Sequence, residues 1–82
     1  MYQEVREKIK VLALFDQGKI TPKAFKWSGR EFRIAKIALA YQERSGRTVY
    51  YFFGVECKNG SVFKLKYNNE KLIWNLEERW VE

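Results

Sequence analysis

The chain has 82 residues, which is enough for one small domain and too few for two, so a single domain over residues 1–82 is expected. Hydrophobic residues make up 46% of the chain and aromatic residues 17%, a composition that excludes a disordered tail. The 16 Lys and Arg residues outnumber the 10 Asp and Glu residues and give a net charge of +6. The longest uncharged apolar run has five residues, which is too short to span a membrane.

The first predicted strand covers about Arg6 to Phe15. Its apolar residues mostly recur at every second position, which is the period of a strand with one buried face. The residues that share this face are Val5, Ile9, Val11, Ala13 and Phe15. A turn at residues 16–19 follows, where Gly18 can adopt a positive φ.

A hairpin is predicted next. The second strand covers Lys23–Trp27, and a two-residue Ser-Gly loop joins it to a third strand that begins at Arg30. This loop length pairs Trp27 with Arg30. It also brings Phe25 and Phe32 opposite each other, so that both rings fall on one buried face.

The third strand changes phase along its length. Its apolar residues lie at even positions up to Ile34 and at odd positions from Ile37 to Tyr41. A β-bulge near Ala35-Lys36 produces such a change and predicts a bulged strand. The alternative is a helix over residues 31–44, because its apolar residues also recur at intervals of three and four and its three alanines favour a helix.

The fourth and fifth predicted strands cover residues 48–57 and 61–67, and both carry their apolar side chains at odd positions. A two-residue loop between them sets Val55 opposite Lys64, whereas a three-residue loop sets it opposite Phe63. Because a slip of one residue exchanges the two faces of a strand, the pattern selects the three-residue loop, with its glycine in the left-handed position. The same register pairs Phe53 with Leu65, Phe52 with Lys66 and Tyr51 with Tyr67.

A turn around Asn69-Glu70 leads into the last predicted strand. This turn is expected to pair Tyr67 with Leu72, Leu65 with Trp74 and Phe63 with Leu76. The large apolar face that results cannot remain in water, so it must curl on itself or pack against the first three strands. The sequence therefore predicts an all-β, antiparallel meander of about six strands that closes into a barrel or roll.

Residues Pro22 to Ile34 resemble a P-x-x-F-x-W-x-G-R-x-[YF]-x-[IV] signature of a family of small uncharacterised bacterial domains. The later strands are similar as well, with G-x-x-[YF]-x-L at Gly60–Leu65 and W-x-L at Trp74–Leu76. The resemblance covers roughly Lys8 to Trp80 and is most specific at the Trp27–Arg30 hairpin. It implies a β-rich bacterial cytoplasmic domain with no assigned catalytic residues. Related domains sometimes accompany translesion-type DNA polymerase proteins, which implies a link to nucleic acid.

The residue types on which most enzymes and metal sites depend are scarce. The chain has no histidine, one cysteine and no glycine-rich phosphate loop, and its carboxylates are scattered or crowd the C-terminal tail. We therefore expect no catalysis, no metal and no cofactor, and we expect Cys57 to be a small buried hydrophobe on the inward face. The charged N-terminus contains no secretory signal, which predicts a cytoplasmic location.

The function that the sequence favours is a protein–protein interaction, either with a different protein or with a second copy of the chain. Four aromatic residues are more than a domain of this size can easily bury, namely Tyr2, Tyr50, Phe52 and Trp80. Exposed aromatic patches of this kind mark protein interfaces.

The alternative function is the binding of single-stranded DNA or RNA by the face of the sheet opposite the core. Tyr50 and Phe52 are expected on that face beside Lys64 and Lys66. Rings stack on bases while lysines contact phosphates, so this combination is typical of single-strand binding.

A small-molecule site at the mouth of the barrel is a third hypothesis. Here Trp27 stacks on Arg30, and the pair holds an anionic or aromatic ligand through cation–π and forked hydrogen-bond geometry. The same two side chains could instead only clamp their own hairpin.

Overall fold

The computed structural model describes all residues, 1–82, and contains six antiparallel strands and no helix. The strands are β1 (Tyr2–Asp16), β2 (Lys19–Trp27), β3 (Arg30–Ser45), β4 (Thr48–Cys57), β5 (Val62–Asn68) and β6 (Ile73–Trp80). Each strand pairs with the next and β1 also pairs with β6, so the sheet closes into a barrel. The predicted all-β class is confirmed, and no element is a helix that could cross a lipid bilayer.

The core lies inside this barrel and is dominated by aromatic rings. Ten buried residues form one contiguous cluster, namely Phe25, Phe32, Phe53, Val55, Cys57, Phe63, Leu65, Tyr67, Trp74 and Leu76. Phe63 is central, because its ring lies edge-on to Phe25 at 5.2 Å and to Phe32 at 5.0 Å between ring centroids. Edge-to-face packing of this kind adds to the stabilisation that comes from burial alone.

Two predicted registers are confirmed. In the β2–β3 hairpin, Phe25 lies opposite Phe32 with their rings stacked at 5.2 Å. Between β4 and β5, Val55 lies opposite Phe63, as the three-residue loop requires. Gly60 closes this loop with φ +91°, a conformation that residues with a side chain rarely adopt.

Strand β3 contains the predicted bulge and a second one. The register shifts between Ile34 and Lys36, and it shifts again between Ile37 and Leu39. The helix over residues 31–44 is therefore wrong. The second bulge returns the strand to its original phase, so Leu39 and Tyr41 point outward, where the sequence pattern predicted that they face the core with Ile37.

The predicted pairing of β5 with β6 is wrong by two residues at Tyr67 and Leu65, and by three at Phe63, which lies opposite Arg79 beyond a register shift. Tyr67 lies opposite Trp74 and Leu65 opposite Leu76, because the turn is longer than expected. The Asn68 side-chain oxygen accepts hydrogen bonds from the backbone N–H groups of residues 70 and 71 and stabilises this wider turn. Leu72 consequently lies in the turn, 71% exposed and with φ +57°. A shift of two residues keeps the faces, so Trp74 and Leu76 still point inward.

Strands β1 and β2 are both longer than predicted, since β1 starts at Tyr2 and β2 at Lys19. The core-facing residues of β1 are those predicted, except that Phe15 lies at the end of the barrel, half exposed, with its ring 5.6 Å from that of Tyr67. Arg6 has φ +52° at the point where the pairing of β1 with β6 shifts register.

The barrel is open along one stretch. Strand β2 pairs with β3 only through residues 24–27, so residues 19–23 have a strand partner on one side only. Residues 34–45 of β3 likewise pair only with β4. Two strand edges are therefore free in an otherwise closed sheet.

Candidate binding surface

The outer side of the sheet carries a row of side chains that contains no carboxylate. Cross-strand pairing places Lys8, Asn75, Lys66, Phe52 and Tyr41 side by side on β1, β6, β5, β4 and β3. Neighbouring strands are about 4.8 Å apart, so the row is about 19 Å long. Tyr50 lies next to it, two residues before Phe52 on β4, and we call Lys8, Tyr41, Tyr50, Phe52 and Lys66 the outer aromatic face.

Four side chains of this face, those of Tyr41, Phe52, Lys66 and Tyr50, are in contact with one another. The rings of Tyr41 and Phe52 stack with 4.9 Å between centroids and 10° between planes. The Lys66 ammonium lies 4.5 Å from the centroid of the Tyr50 ring and 5.8 Å from that of Phe52. Neither Lys66 nor Lys8 forms an ion pair, so both charges remain available to an anion.

The exposure of these side chains is what a contact surface requires. Tyr50, Phe52 and Lys66 are partly exposed, and Tyr41 and Lys8 are exposed. A planar, uncharged ligand could stack on the rings, while Lys66 has a flexible stem and could move from the rings to a phosphate.

Lys64 lies on the same side of the sheet but in a different environment. Its Nζ is 3.6 Å from a carboxylate oxygen of Glu78 and 5.6 Å from the centroid of the Tyr2 ring. Tyr2 packs edge-on against Trp80 at 5.2 Å, and both rings are almost half exposed. The charge of Lys64 is therefore partly neutralised, and this predicted site residue contributes less positive potential than Lys66.

Trp27 and Arg30 lie opposite each other, as predicted, but they do not stack and they lie at the end of the barrel, away from the outer aromatic face. The Trp27 indole N–H donates to a Glu7 carboxylate oxygen at 3.2 Å, and the Arg79 guanidinium lies 5.7 Å from a Trp27 ring centroid. Arg30 instead lies over Phe32 at 5.1 Å. These contacts favour a structural clamp on the hairpin.

Cys57 is buried in the core, as predicted. Burial raises the pKa of its thiol to about 11, because the charged thiolate is poorly solvated there. The thiol is therefore protonated at neutral pH and is a poor nucleophile. No group of three or more Cys, Asp or Glu side chains comes close enough together to hold a metal ion.

A second basic surface lies on the outside of β1, β2 and β3. It is a cleft of about 280 Å³ whose charged lining residues are Lys10, Lys26, Glu31 and Arg33. Arg33 is paired with Glu31 at 3.3 Å, and the one ring in the lining, Phe25, is only 2% exposed. This cleft offers positive charge without a ring on which a base could stack.

Sequence reasoning missed two members of the outer aromatic face. Tyr41 was assigned to the core because the second bulge of β3 leaves no clear sign in an apolar segment. Lys8 alternates with the core-facing residues of β1, but its alignment with Lys66 depends on the register of β1 with β6. That register connects opposite ends of the chain and cannot be read from a local pattern.

Comparisons of the chain with family models, with curated proteins and with solved structures found no match. The Pro22–Ile34 signature and the association with polymerase proteins therefore remain expectations. The basis for assigning a function is the geometry of the outer aromatic face.

Proposed function

We infer that this protein is a non-catalytic bacterial cytoplasmic module that binds single-stranded DNA or RNA on its outer aromatic face. The observation that carries this proposal is the carboxylate-free row, in which the stacked rings of Tyr41 and Phe52 lie between β5, which supplies Lys66, and the free edge of β3. Stacking on exposed rings contributes about 1–3 kcal/mol per base. The net charge of +6 accelerates the encounter with a polyanion.

The arrangement favours single strands over duplexes. Bases in a duplex are stacked on one another, so their faces are not free to contact protein rings. Reading a duplex requires a helix or a two-stranded ribbon that enters the groove, whereas the outer aromatic face is the surface of a sheet. Base sequence is read by hydrogen bonds between polar side chains and the edges of the bases. Because Asn75 is the one amide side chain in the row, we expect little preference among base sequences.

The proposal is tested by fluorescence anisotropy with a labelled oligothymidine and with the same strand in a duplex. We expect binding of the single strand at micromolar protein, weaker binding of the duplex, and a steep loss of affinity as salt rises. Each phosphate contacted in a single strand contributes about −0.7 to the slope of log affinity against log salt, so two lysine contacts give a slope of about −1.4. Absence of salt-sensitive binding at micromolar protein, or equal binding of both probes, contradicts the proposal.

A further inference from the structure

The two free strand edges of the barrel differ in how they are protected. The β2 edge, residues 19–23, contains Lys19, Pro22 and Lys23, and such residues keep an edge from pairing with another strand. The β3 edge has no comparable protection in its middle, since residues 37–42 contain neither a charged residue nor a proline. An apolar edge without such residues can form backbone hydrogen bonds with a strand of another chain.

The side chains along the β3 edge are also exposed to solvent, and residues 40–42 face the β1–β2 turn, residues 18–20, across an open cleft of about 230 Å³. Residues 38–45 are all exposed, including two large apolar side chains, Leu39 at 51% and Tyr41 at 37%. Because residues 34–45 pair only with β4, the backbone N–H and C=O groups that point the other way lack a strand partner.

We propose that this edge pairs with the β3 edge of a second copy of the chain, antiparallel and about a two-fold axis at Ala40. Antiparallel self-pairing about a two-fold axis perpendicular to the sheet keeps the outward faces of both strands on the same side. It sets Leu39 opposite the partner's Tyr41, and by symmetry Tyr41 opposite the partner's Leu39. Both are exposed in the single chain and cover each other in the pair.

The charges at the ends of this segment select that register. The bulge after Ile37 adds one residue, so the outward-facing side chain that meets the partner's Glu43 is Lys36. Two Lys36–Glu43 ion pairs therefore form, one at each end of the paired segment. Within its own chain neither residue has an ion-pair partner, although Glu56 lies directly opposite Lys36 on β4.

The two neighbouring centres of symmetry towards the C-terminal end of β3 are poorer. A two-fold axis at Gln42 sets Tyr41 opposite the partner's Glu43 and carries Lys36 past the end of the partner's β3. An axis at Tyr41 sets Leu39 opposite the partner's Glu43, an apolar side chain against a charge. The axis at Ala40 alone among the three matches apolar with apolar and positive with negative.

Pairing of one short segment from each chain buries less area than a standard stable interface, so the dimer is expected to be weak and to form as concentration rises. Both outer aromatic faces lie on the same side of the joined sheet. The dimer therefore joins the two surfaces into a longer one, and Tyr41 is the residue of each surface that the partner's Leu39 partly covers.

A charge-swap experiment by sedimentation velocity tests the proposal without any nucleic acid, from micromolar to millimolar protein. We expect a monomer–dimer equilibrium for the native chain. Glu43→Lys alone and Lys36→Glu alone should each weaken the dimer about tenfold or more, because two attractions become two repulsions. Combining both changes in one chain should restore it, and a mixture of the two single variants should form heterodimers. Glu82→Lys is the control, since it changes the net charge as Glu43→Lys does, at an exposed residue away from β3.

Circular dichroism verifies that every variant is folded. A native chain that stays monomeric at millimolar concentration overturns the proposal. Any strand that pairs with the β3 edge would then have to come from a different protein. A dimer that is equally weakened by Glu82→Lys, or that the double change does not restore, also overturns it, because the pairing then does not depend on Lys36 and Glu43.

Discussion

Replacement of Phe63 by alanine is expected to lower the free energy of unfolding by about 3–5 kcal/mol. The ring is 3% exposed and packs edge-on against Phe25, Trp27 and Phe32, so its loss leaves a cavity where β2, β3 and β5 meet. A domain of this size has a total stability of the same order, about 4–12 kcal/mol. The variant should therefore unfold at much lower urea concentration, or be largely unfolded without urea.

Leu12→Ala is the control for this experiment. Leu12 is 70% exposed on the outer side of β1, so the same kind of truncation should change the free energy of unfolding by less than about 0.5 kcal/mol. The two urea midpoints are compared by circular dichroism. Similar losses in both variants would mean that the inward and outward faces of the sheet have been assigned wrongly.

The double change Phe52→Leu with Lys66→Gln is expected to weaken binding of a single-stranded oligonucleotide by between about tenfold and about a hundredfold. It removes one stacking ring, worth about 1–3 kcal/mol, and one phosphate contact. The slope of log affinity against log salt should also become shallower by about 0.7, as one contact fewer requires. Leucine keeps most of the apolar volume over Tyr41, so the fold should be retained.

The matched control is Phe15→Leu with Lys58→Gln. Both residues are exposed, Phe15 at the end of β1 and Lys58 in the β4–β5 loop, and the change alters the net charge by the same amount. We expect little effect on affinity beyond that of the lost charge. If the control weakens binding as much as the change at Phe52 and Lys66, the chain attracts nucleic acid through its overall charge and the outer aromatic face has no special role.

The hydrophobic pattern of the sequence predicts the register of two strands where a slip of one residue would turn the apolar side chains of one strand outward. Val55 had to lie opposite Phe63, because a slip of one residue would have placed Lys64 in the core. The register of β5 with β6 was not determined in this way. A slip of two residues leaves Trp74 on the inward face, so hydrophobic alternation could not distinguish the two registers, and hydrogen bonds to the Asn68 side chain decided between them.

The candidate surface was predictable in its centre and not at its edges. Tyr50, Phe52 and Lys66 follow from the register of β4 with β5, which local pattern determines. Tyr41 required the second bulge of β3, and in a segment where alanines alternate with larger apolar residues either phase looks acceptable. The ion pair of Lys64 with Glu78 required the irregular register of β6, which depends on packing between distant parts of the chain.

The proposed contact surface for nucleic acid is the outer side of β3, β4 and β5. The most direct measurement is a titration of the isotope-labelled protein with an oligothymidine, followed by NMR of its aromatic and lysine side-chain signals. We predict that the signals of Tyr41, Tyr50, Phe52 and Lys66 shift together, while those of the buried ring of Phe53 do not. Shifts concentrated at Trp27 and Arg30, or in the cleft beside Lys26, would assign binding to a different surface and rule out the outer aromatic face.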